Sequence, residues 1–199
     1  MRILTGFLVL ATTPLLAGEV SSIYSTFDFD KDCVWTEYDD AESTIGGDAV
    51  CTGLDGYPVY FAEFDLRQYM AYGPVDDPMA LPGGFGDFNY VNHTIEWRLE
   101  GSKPFAAIQR WFIEGTEANG GSAEGQVLVV STVADPDAPA GKRVSCPVAY
   151  VDVLANTDAN LLARQAADTL ARGFVCGVDR PDFVGQRGPL SGYPRDLAE

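Results

Sequence analysis

The chain has 199 residues and carries 13 Lys plus Arg against 29 Asp plus Glu, a net charge of −16. That charge repels nucleic-acid phosphates and anionic membrane surfaces, so the sequence predicts no nucleic-acid partner. The charge would attract a partner with a cationic surface, and solubility is the alternative explanation of the charge. The length fits one domain with a core of its own.

Residues 1–18 predict a signal peptide. Arg2 gives a short positive region, residues 3–16 are apolar, and Leu16-Ala17-Gly18 offers small residues for cleavage. Glu19 stands where a lipoprotein would carry its lipid-bearing cysteine, and the apolar run is shorter than the ~20 residues that span a bilayer. We therefore expect a soluble mature chain, periplasmic or secreted, without membrane insertion. A buried strand or helix of the mature fold is the alternative interpretation of this segment.

Strands are predicted through most of the mature chain. An alternating pattern favours a strand over 24–35, and further candidates follow at 49–52, 57–64 and 67–72. The segment 73–89 contains three prolines and four glycines and predicts a long loop. A hairpin then joins 94–99 to 105–114 through a turn at Ser102-Lys103, and strands at 126–133 and 143–153 continue it as an antiparallel meander.

One helix is predicted after the last of these strands. Asn156 or Thr157 can cap it, Asp158 suits its positive end, and Gly173 can stop it. Residues at helical spacing are Leu161, Leu162, Ala166, Thr169 and Leu170. The sequence thus predicts an α+β fold, an antiparallel, meander-like β-sheet of about six to eight strands with one C-terminal helix packed on it. This domain would cover 19–176, and an irregular tail rich in proline and glycine would cover 177–199.

The four cysteines, Cys33, Cys51, Cys146 and Cys176, allow three disulfide connectivities. We favour Cys33–Cys51 and Cys146–Cys176, because each bond closes a local segment and export makes oxidation the expected state. None of the cysteines lies in a C-x-x-C pair, so a structural zinc site is not predicted. The sequence predicts no metal and no cofactor.

A candidate ligand site lies on the predicted hairpin at 94–114. Glu96 and Arg98 share the polar face of their strand, and a two-residue turn would place Gln109 opposite Glu96, beside Trp111. Charged and amide groups clustered in this way can bind a polar ligand. The alternative is a solvated or helix-covered face that holds an ordinary ion pair.

A second charged cluster lies at the end of another predicted hairpin. Glu63, Asp65 and Arg67 fall within the same turn region. Glu63 is the candidate ligand-binding residue of this cluster, and an ordinary surface ion pair is again the alternative.

Known catalytic and metal-binding patterns find no full match. Asp28, Asp30 and Asp32 alternate as in the start of a calcium loop, but Cys33 occupies the position where the turn requires glycine. No G-x-S-x-G elbow surrounds a serine that could pair with the single histidine, His93. The sequence predicts no catalytic residue.

Five blocks of the chain resemble a group of small exported bacterial proteins of unknown function. They are GYPVYFAEFDLRQ (56–68), HTIEWRL (93–99), QRWF (109–112), GQVLVV (125–130) and CPVAYVDVLANTDANLLARQAADTLA (146–171). The last block is the most specific of them. The resemblance implies a periplasmic protein and carries over no catalytic residue.

Two functional hypotheses follow. The first is a non-enzymatic periplasmic binding or interaction protein that engages another envelope protein, one with a cationic surface. The second is an envelope hydrolase that uses paired Glu or Asp carboxylates, which requires two carboxyl groups in one cleft within roughly 10 Å.

Overall fold

The computed structural model describes residues 18–36, 46–78, 83–116 and 120–195. The predicted signal peptide lies outside these residues except for Gly18. The elements of the described chain are β1 (Val20–Thr26), β2 (Cys33–Trp35), β3 (Gly46–Leu54), β4 (Tyr57–Phe64), β5 (Arg67–Tyr72), β6 (Asn89–Glu100), β7 (Lys103–Thr116), β8 (Ser122–Thr132), β9 (Pro147–Asp152), α1 (Ala159–Leu170) and β10 (Asp182–Phe183), with a 3₁₀ turn at Ala171–Gly173 after the helix. Within this part of the chain no helix is both long and apolar enough to cross a bilayer.

The strands form two sheets that pack face to face. The larger sheet has six strands in the order β1-β6-β7-β8-β9-β10, and the smaller has four in the order β2-β3-β4-β5. All neighbours are antiparallel except β10, which runs parallel to β9. The predicted α+β class, with a largely antiparallel sheet and a C-terminal helix packed on it, is confirmed. The strands are nevertheless divided between two sheets instead of forming a single meander.

The strand predicted over 24–35 is divided by a tight turn. The amide of Asp32 donates to the carbonyl oxygen of Asp28 at 2.8 Å, and the Asp32 carboxylate accepts a hydrogen bond from the amide of Asp28 at 2.8 Å. Aspartate favours such turns because its side chain bonds to nearby backbone amides. The turn takes the chain from β1, an edge strand of the large sheet, to β2, an edge strand of the small sheet.

The main hydrophobic core fills the space between the two sheets. Trp97 is fully buried there, and its ring meets that of Tyr72 edge-on at 5.9 Å. Gly53 lies beside the indole, where a Cβ would come within 3.2 Å of the ring. Other large members of this core are Val59, Phe61, Met70, Phe85, Ile95, Leu99, Trp111, Ile113, Val127 and Tyr150.

Helix α1 covers the opposite face of the large sheet through alanine side chains. Its buried residues are Ala159, Ala163, Ala166 and Ala167, whereas Leu161 and Leu170 are exposed. The predicted apolar stripe is therefore wrong at Leu161 and Leu170, whereas Leu162 is half-buried against the core beneath the helix. The N-cap residue is Asp158, without a side-chain capping bond, so neither Asn156 nor Thr157 caps the helix.

Both predicted disulfides are confirmed. Cys33 and Cys51 lie directly opposite each other on β2 and β3, and their bond holds the short edge strand to its neighbour. Cys146 and Cys176 join the start of β9 to the segment that follows the helix.

The segment 177–195 packs against the large sheet along much of its length. Asp152, at the end of β9, accepts a hydrogen bond from the amide of Gly188 at 2.8 Å, and Asn156 donates to the carbonyl oxygen of Gln186 at 2.7 Å. Gly125 of β8 leaves room for Leu190, since a Cβ at Gly125 would overlap the Leu190 carbonyl oxygen. The tail is thus mostly irregular in backbone, with β10 as its one strand in the described residues.

Candidate functional site

Glu96 and Arg98 lie on the helix-covered face of β6 in a series of ion pairs that we call the helix–strand ladder. It consists of Glu96, Arg98 and Glu100 on the strand, facing Arg164, Asp168 and Arg172 on the helix and the 3₁₀ turn. In the first pair, Arg164 Nε lies 2.6 Å from Glu96 Oε1. In the second, Arg98 Nε and Nη2 donate to the Asp168 carboxylate at 2.9 and 2.6 Å. In the third, Arg172 Nε lies 3.4 Å from Glu100 Oε2.

The members of the ladder satisfy one another. Ser22 of β1 donates to Glu96 Oε1 at 2.5 Å and accepts from Arg98 Nη1 at 2.6 Å, which links two of the pairs. Burial by itself raises the pKa of Glu96, but the hydrogen bonds from Arg164 and Ser22 outweigh it and hold the pKa below its ordinary value. These groups therefore form a helix-covered ion-pair network and leave no charge free for a ligand.

Gln109 lies on the other face of the large sheet. The predicted register is wrong, because Glu96 pairs with Ile108 and Gln109 pairs with Ile95. The two-residue turn lies at Gly101-Ser102 and not at Ser102-Lys103, since Glu100 pairs with Lys103. A β-bulge between Arg98 and Leu99 then shifts the pairing by one residue, which turns the Gln109 side chain into the core between the sheets. There it accepts a hydrogen bond from the Tyr72 hydroxyl at 2.5 Å and donates to the carbonyl oxygen of Asn92 at 2.7 Å.

Glu63 lies on the small sheet, apart from the other three candidates. Its Oε2 atom accepts a hydrogen bond from Gln68 Nε2 at 2.7 Å. No described residue donates to its other oxygen. The neighbouring Asp65 and Arg67 form their own ion pair at 2.5 Å in the β4–β5 turn. The four predicted residues therefore do not converge, and Glu63 lines a cavity on the small sheet.

That cavity is the candidate functional site, and we call it the aromatic cleft. It has a volume of about 450 Å³ and is lined by Phe29, Trp35, Thr36, Gly46, Gly47, Phe61, Glu63 and Gln68. The ring of Phe29 lies 4.5 Å from that of Phe61 and 5.8 Å from that of Trp35, centroid to centroid. His93 adds a fourth ring, edge-on to Phe29 at 5.1 Å.

The local structure explains why these side chains meet. The Cys33–Cys51 bond fixes the register of β2 on β3, which places Trp35 opposite Ala49. The indole then lies over Gly47, where a Cβ would come within 3.2 Å of the ring. Gly47 pairs in turn with Glu63 of β4, so the exposed indole and the carboxylate flank one small residue.

Of the three aromatic rings that line this cleft, that of Trp35 is the exposed one. The residue is 44% exposed, whereas Phe61 is buried and Phe29 half-buried beneath it. Its indole N–H donates to the carbonyl oxygen of Phe29 at 3.1 Å, which fixes the orientation of the ring. The cleft thus presents an oriented aromatic face beside a carboxylate, an arrangement that can hold a cation.

The sequence pattern points to Glu63 but not to the aromatic residues around it. Phe29 and Trp35 fall in the strand predicted over 24–35, and the pattern gives neither ring a role in a site. The available signal was the pair of aromatic residues on either side of Cys33, because a cross-strand disulfide holds its flanking residues in a fixed register.

Metal-binding groups do not gather in the described part of the chain: no cluster of three or more His, Cys, Asp or Glu side chains there could hold an ion. In the Asp28–Asp32 turn, the Asp28 carboxylate accepts hydrogen bonds from the amide of Asp30 and from Lys31 Nζ.

The chain matches no family model, no curated protein and no solved structure. We therefore infer the function from the chemistry of the cleft and from the sequence.

Proposed function

We propose that this protein is an exported, non-enzymatic binding protein that holds a cationic side chain of a protein partner in the aromatic cleft. The observation that carries the proposal is the pairing of the exposed Trp35 ring with the Glu63 carboxylate across Gly47. The partner would be another envelope protein with lysine or arginine on its surface.

The charge of the chain supports a cationic partner. At a net charge of −16, the protein attracts positive surfaces over a distance set by salt and repels negative ones. A cation over the face of an exposed aromatic ring gains about 0.5–1 kcal/mol, with tryptophan the best of the rings. Glu63 Oε1, to which no described residue donates, gives the same cation a hydrogen-bond acceptor.

Three features support an exported location. The predicted signal peptide, the resemblance to exported bacterial proteins and the oxidised state of all four cysteines agree with an oxidising compartment.

The hydrolase hypothesis receives less support. A carboxylic acid that donates a proton near neutral pH needs a raised pKa. The described carboxyl groups whose pKa is perturbed, namely Asp28, Asp76, Glu96 and Asp135, are all lowered by hydrogen bonds from cations or amides. Two carboxyl groups, Glu100 and Asp135, line one cavity, but each is ion-paired, with Arg172 and Lys103. We therefore propose binding in preference to hydrolysis.

Tryptophan fluorescence tests the proposal directly. The chain has three tryptophans, and Trp97 and Trp111 are buried, so a dissolved quencher reports on Trp35. We expect Cs⁺ to quench more strongly than iodide, and Glu63→Gln to reduce that difference. Asp55→Asn is the matched control, because Asp55 is exposed in the turn at the far end of β3.

The second part of the experiment measures binding. Tetra-arginine amide should change Trp35 fluorescence at 150 mM salt, whereas tetra-citrulline, its neutral isostere, should not. Titration calorimetry then gives the affinity of every variant, because Trp35→Leu removes the fluorescent reporter. Trp35→Leu and Glu63→Gln should each weaken binding about fivefold, and Asp55→Asn by much less. Equal affinity in all four proteins would show that the peptide binds to diffuse acidic charge, and the proposal would be rejected.

A further inference from the structure

A second cavity lies away from the aromatic cleft, beside the Cys146–Cys176 disulfide. Its volume is about 630 Å³, within the roughly 300–1,000 Å³ range of small-molecule sites. It is enclosed by the β6–β7 turn, by the loop between β8 and β9, and by the 3₁₀ turn with the residues that follow it. We call it the disulfide pocket.

The disulfide pocket concentrates positive charge in a negative protein. The chain has three lysines, and two of them, Lys103 and Lys142, line this pocket together with Arg172. The acidic lining residues are Glu100 and Asp135. Asp137, just outside the lining, also binds Lys103, so three cations face three carboxylates here and the site is locally neutral in a chain of net charge −16.

Lys142 is the cation of the pocket that lacks an ion-pair partner among the described residues. Lys103 Nζ is bound by Asp135 at 2.8 Å and by Asp137 at 3.3 Å, and Arg172 Nε faces Glu100 Oε2 at 3.4 Å. Lys142 is exposed and forms no ion pair with any described residue. An anion that enters the pocket could therefore bind the Lys142 ammonium group without first displacing a carboxylate from it.

The remaining wall of the pocket is apolar. Phe105 is covered by the Arg172 guanidinium at 3.8 Å, and Phe174 lies half-buried beside it. At the rim, Val144 and Val175 are 50% and 53% exposed. Unpaired valines around a concave apolar floor provide surface for the hydrocarbon part of a ligand.

The pocket is held open by covalent structure. Cys176 lines it, and its bond to Cys146 ties the chain after the helix to the start of β9. Thr132, also in the lining, donates to the carbonyl oxygen of Cys146 and contacts the Cys176 sulfur at 3.6 Å. A preformed pocket binds without an ordering cost in its own loops.

We propose that the disulfide pocket binds a small amphipathic anion, with its charged group at Lys142 and its hydrocarbon chain against Phe174, Val144 and Val175. The ligand class follows from the combination of an ammonium group without an ion-pair partner among the described residues and an apolar wall. It differs from the ligand of the aromatic cleft in the sign of its charge, so the two sites can be tested separately in one protein.

Titration calorimetry with hexanoate, octanoate and decanoate, each below its micelle concentration, tests this site. Affinity should rise about threefold to fourfold per methylene buried. Octyltrimethylammonium has the same chain with the opposite charge and should bind at least tenfold more weakly than octanoate. Equal affinity for the two octyl probes would overturn the proposal.

Two variants locate the site. Lys142→Gln should weaken octanoate binding about fivefold, and Val175→Asp should abolish it by placing a carboxylate at the rim. Lys31→Gln is the matched control, because Lys31 is an exposed lysine outside the pocket and should leave affinity unchanged. The proposal fails if Lys142→Gln changes affinity by less than twofold, or if Lys31→Gln has the same effect.

Discussion

Arg164 of α1 lies over Glu96 of β6, and the next pairs of the helix–strand ladder repeat that relationship at matching intervals. Four residues of helix rise about 6 Å and two residues of strand about 6.6 Å, so partners four apart on the helix meet partners two apart on the strand. The alanine face of α1 brings the helix close enough to the sheet for these side chains to pair. The ladder therefore fixes the position of the helix along β6.

Removal of Arg164 should destabilise the fold. Arg164→Gln leaves the buried Glu96 carboxylate with only its hydroxyl partners, and we expect a loss of about 2 kcal/mol in the free energy of unfolding, measured with urea. This figure lies below that for fully buried pairs because the Arg164 side chain is 39% exposed. The double variant Arg164→Gln/Glu96→Gln should recover part of the loss; a double variant that loses the sum of both single changes would contradict the ladder.

The stability of the protein should fall in acid, in part through Glu96. The pKa of Glu96 is lower in the folded state than in the unfolded chain, so its stabilisation is complete above the ordinary glutamate pKa of about 4.3 and is lost as pH falls through the folded value. Urea unfolding from pH 6 to pH 3 should show a smaller loss for Glu96→Gln than for the unaltered protein. The pKa values of Asp76 and Asp135 are also lowered, and both residues are present in both proteins. Both proteins should therefore lose some stability as the pH falls.

The buried pair of Tyr72 and Gln109 gives a prediction about the core. Gln109→Leu leaves the Tyr72 hydroxyl without its acceptor in a site closed to water, which should cost about 2 kcal/mol. Tyr72→Phe should lower the free energy of unfolding by less, since it removes the hydroxyl donor and keeps the buried ring. The double variant should be more stable than the sum of the two changes predicts, by about 1 kcal/mol. Strict additivity in denaturant unfolding would show that the hydrogen bond contributes nothing.

Gly125 should be sensitive to even one added carbon. Gly125→Ala puts a methyl group on the Leu190 carbonyl oxygen, so the tail must move away from β8. We expect about 2 kcal/mol of destabilisation and faster proteolysis between residues 185 and 195. Gly173→Ala makes the same chemical change where nothing lies within 4 Å, and it should leave both measurements unchanged. Equal protease resistance of the two variants would contradict the packing of the tail.

The sequence predicted those features that depend on local pattern. The two disulfides close short segments, and the alternation of Ile95, Trp97 and Leu99 identified a buried strand face. The sequence did not predict which face of the sheet Gln109 lies on. A single bulge residue moves the side chains that follow it to the opposite face, and no residue type marks that bulge.

The aromatic cleft shows the same limit over a longer distance. Its wall needs Trp35 of one strand and Glu63 of another to meet across Gly47, and that meeting depends on the Asp28–Asp32 turn between the sheets. A sequence shows each of these residues but not the pairing that joins them.

The contacts of residues 185–195 imply that one end of the core forms late. Pro194 forms a bridge with Phe85, whose ring packs on Trp111 and Tyr150 in the middle of the core. Since a ribosome makes residue 85 long before residue 194, that end of the sandwich stays open until almost all of this sequence has been made. Such distant contacts are typical of slow folding. The Phe85–Pro194 contact can therefore form only after residue 194 has been made.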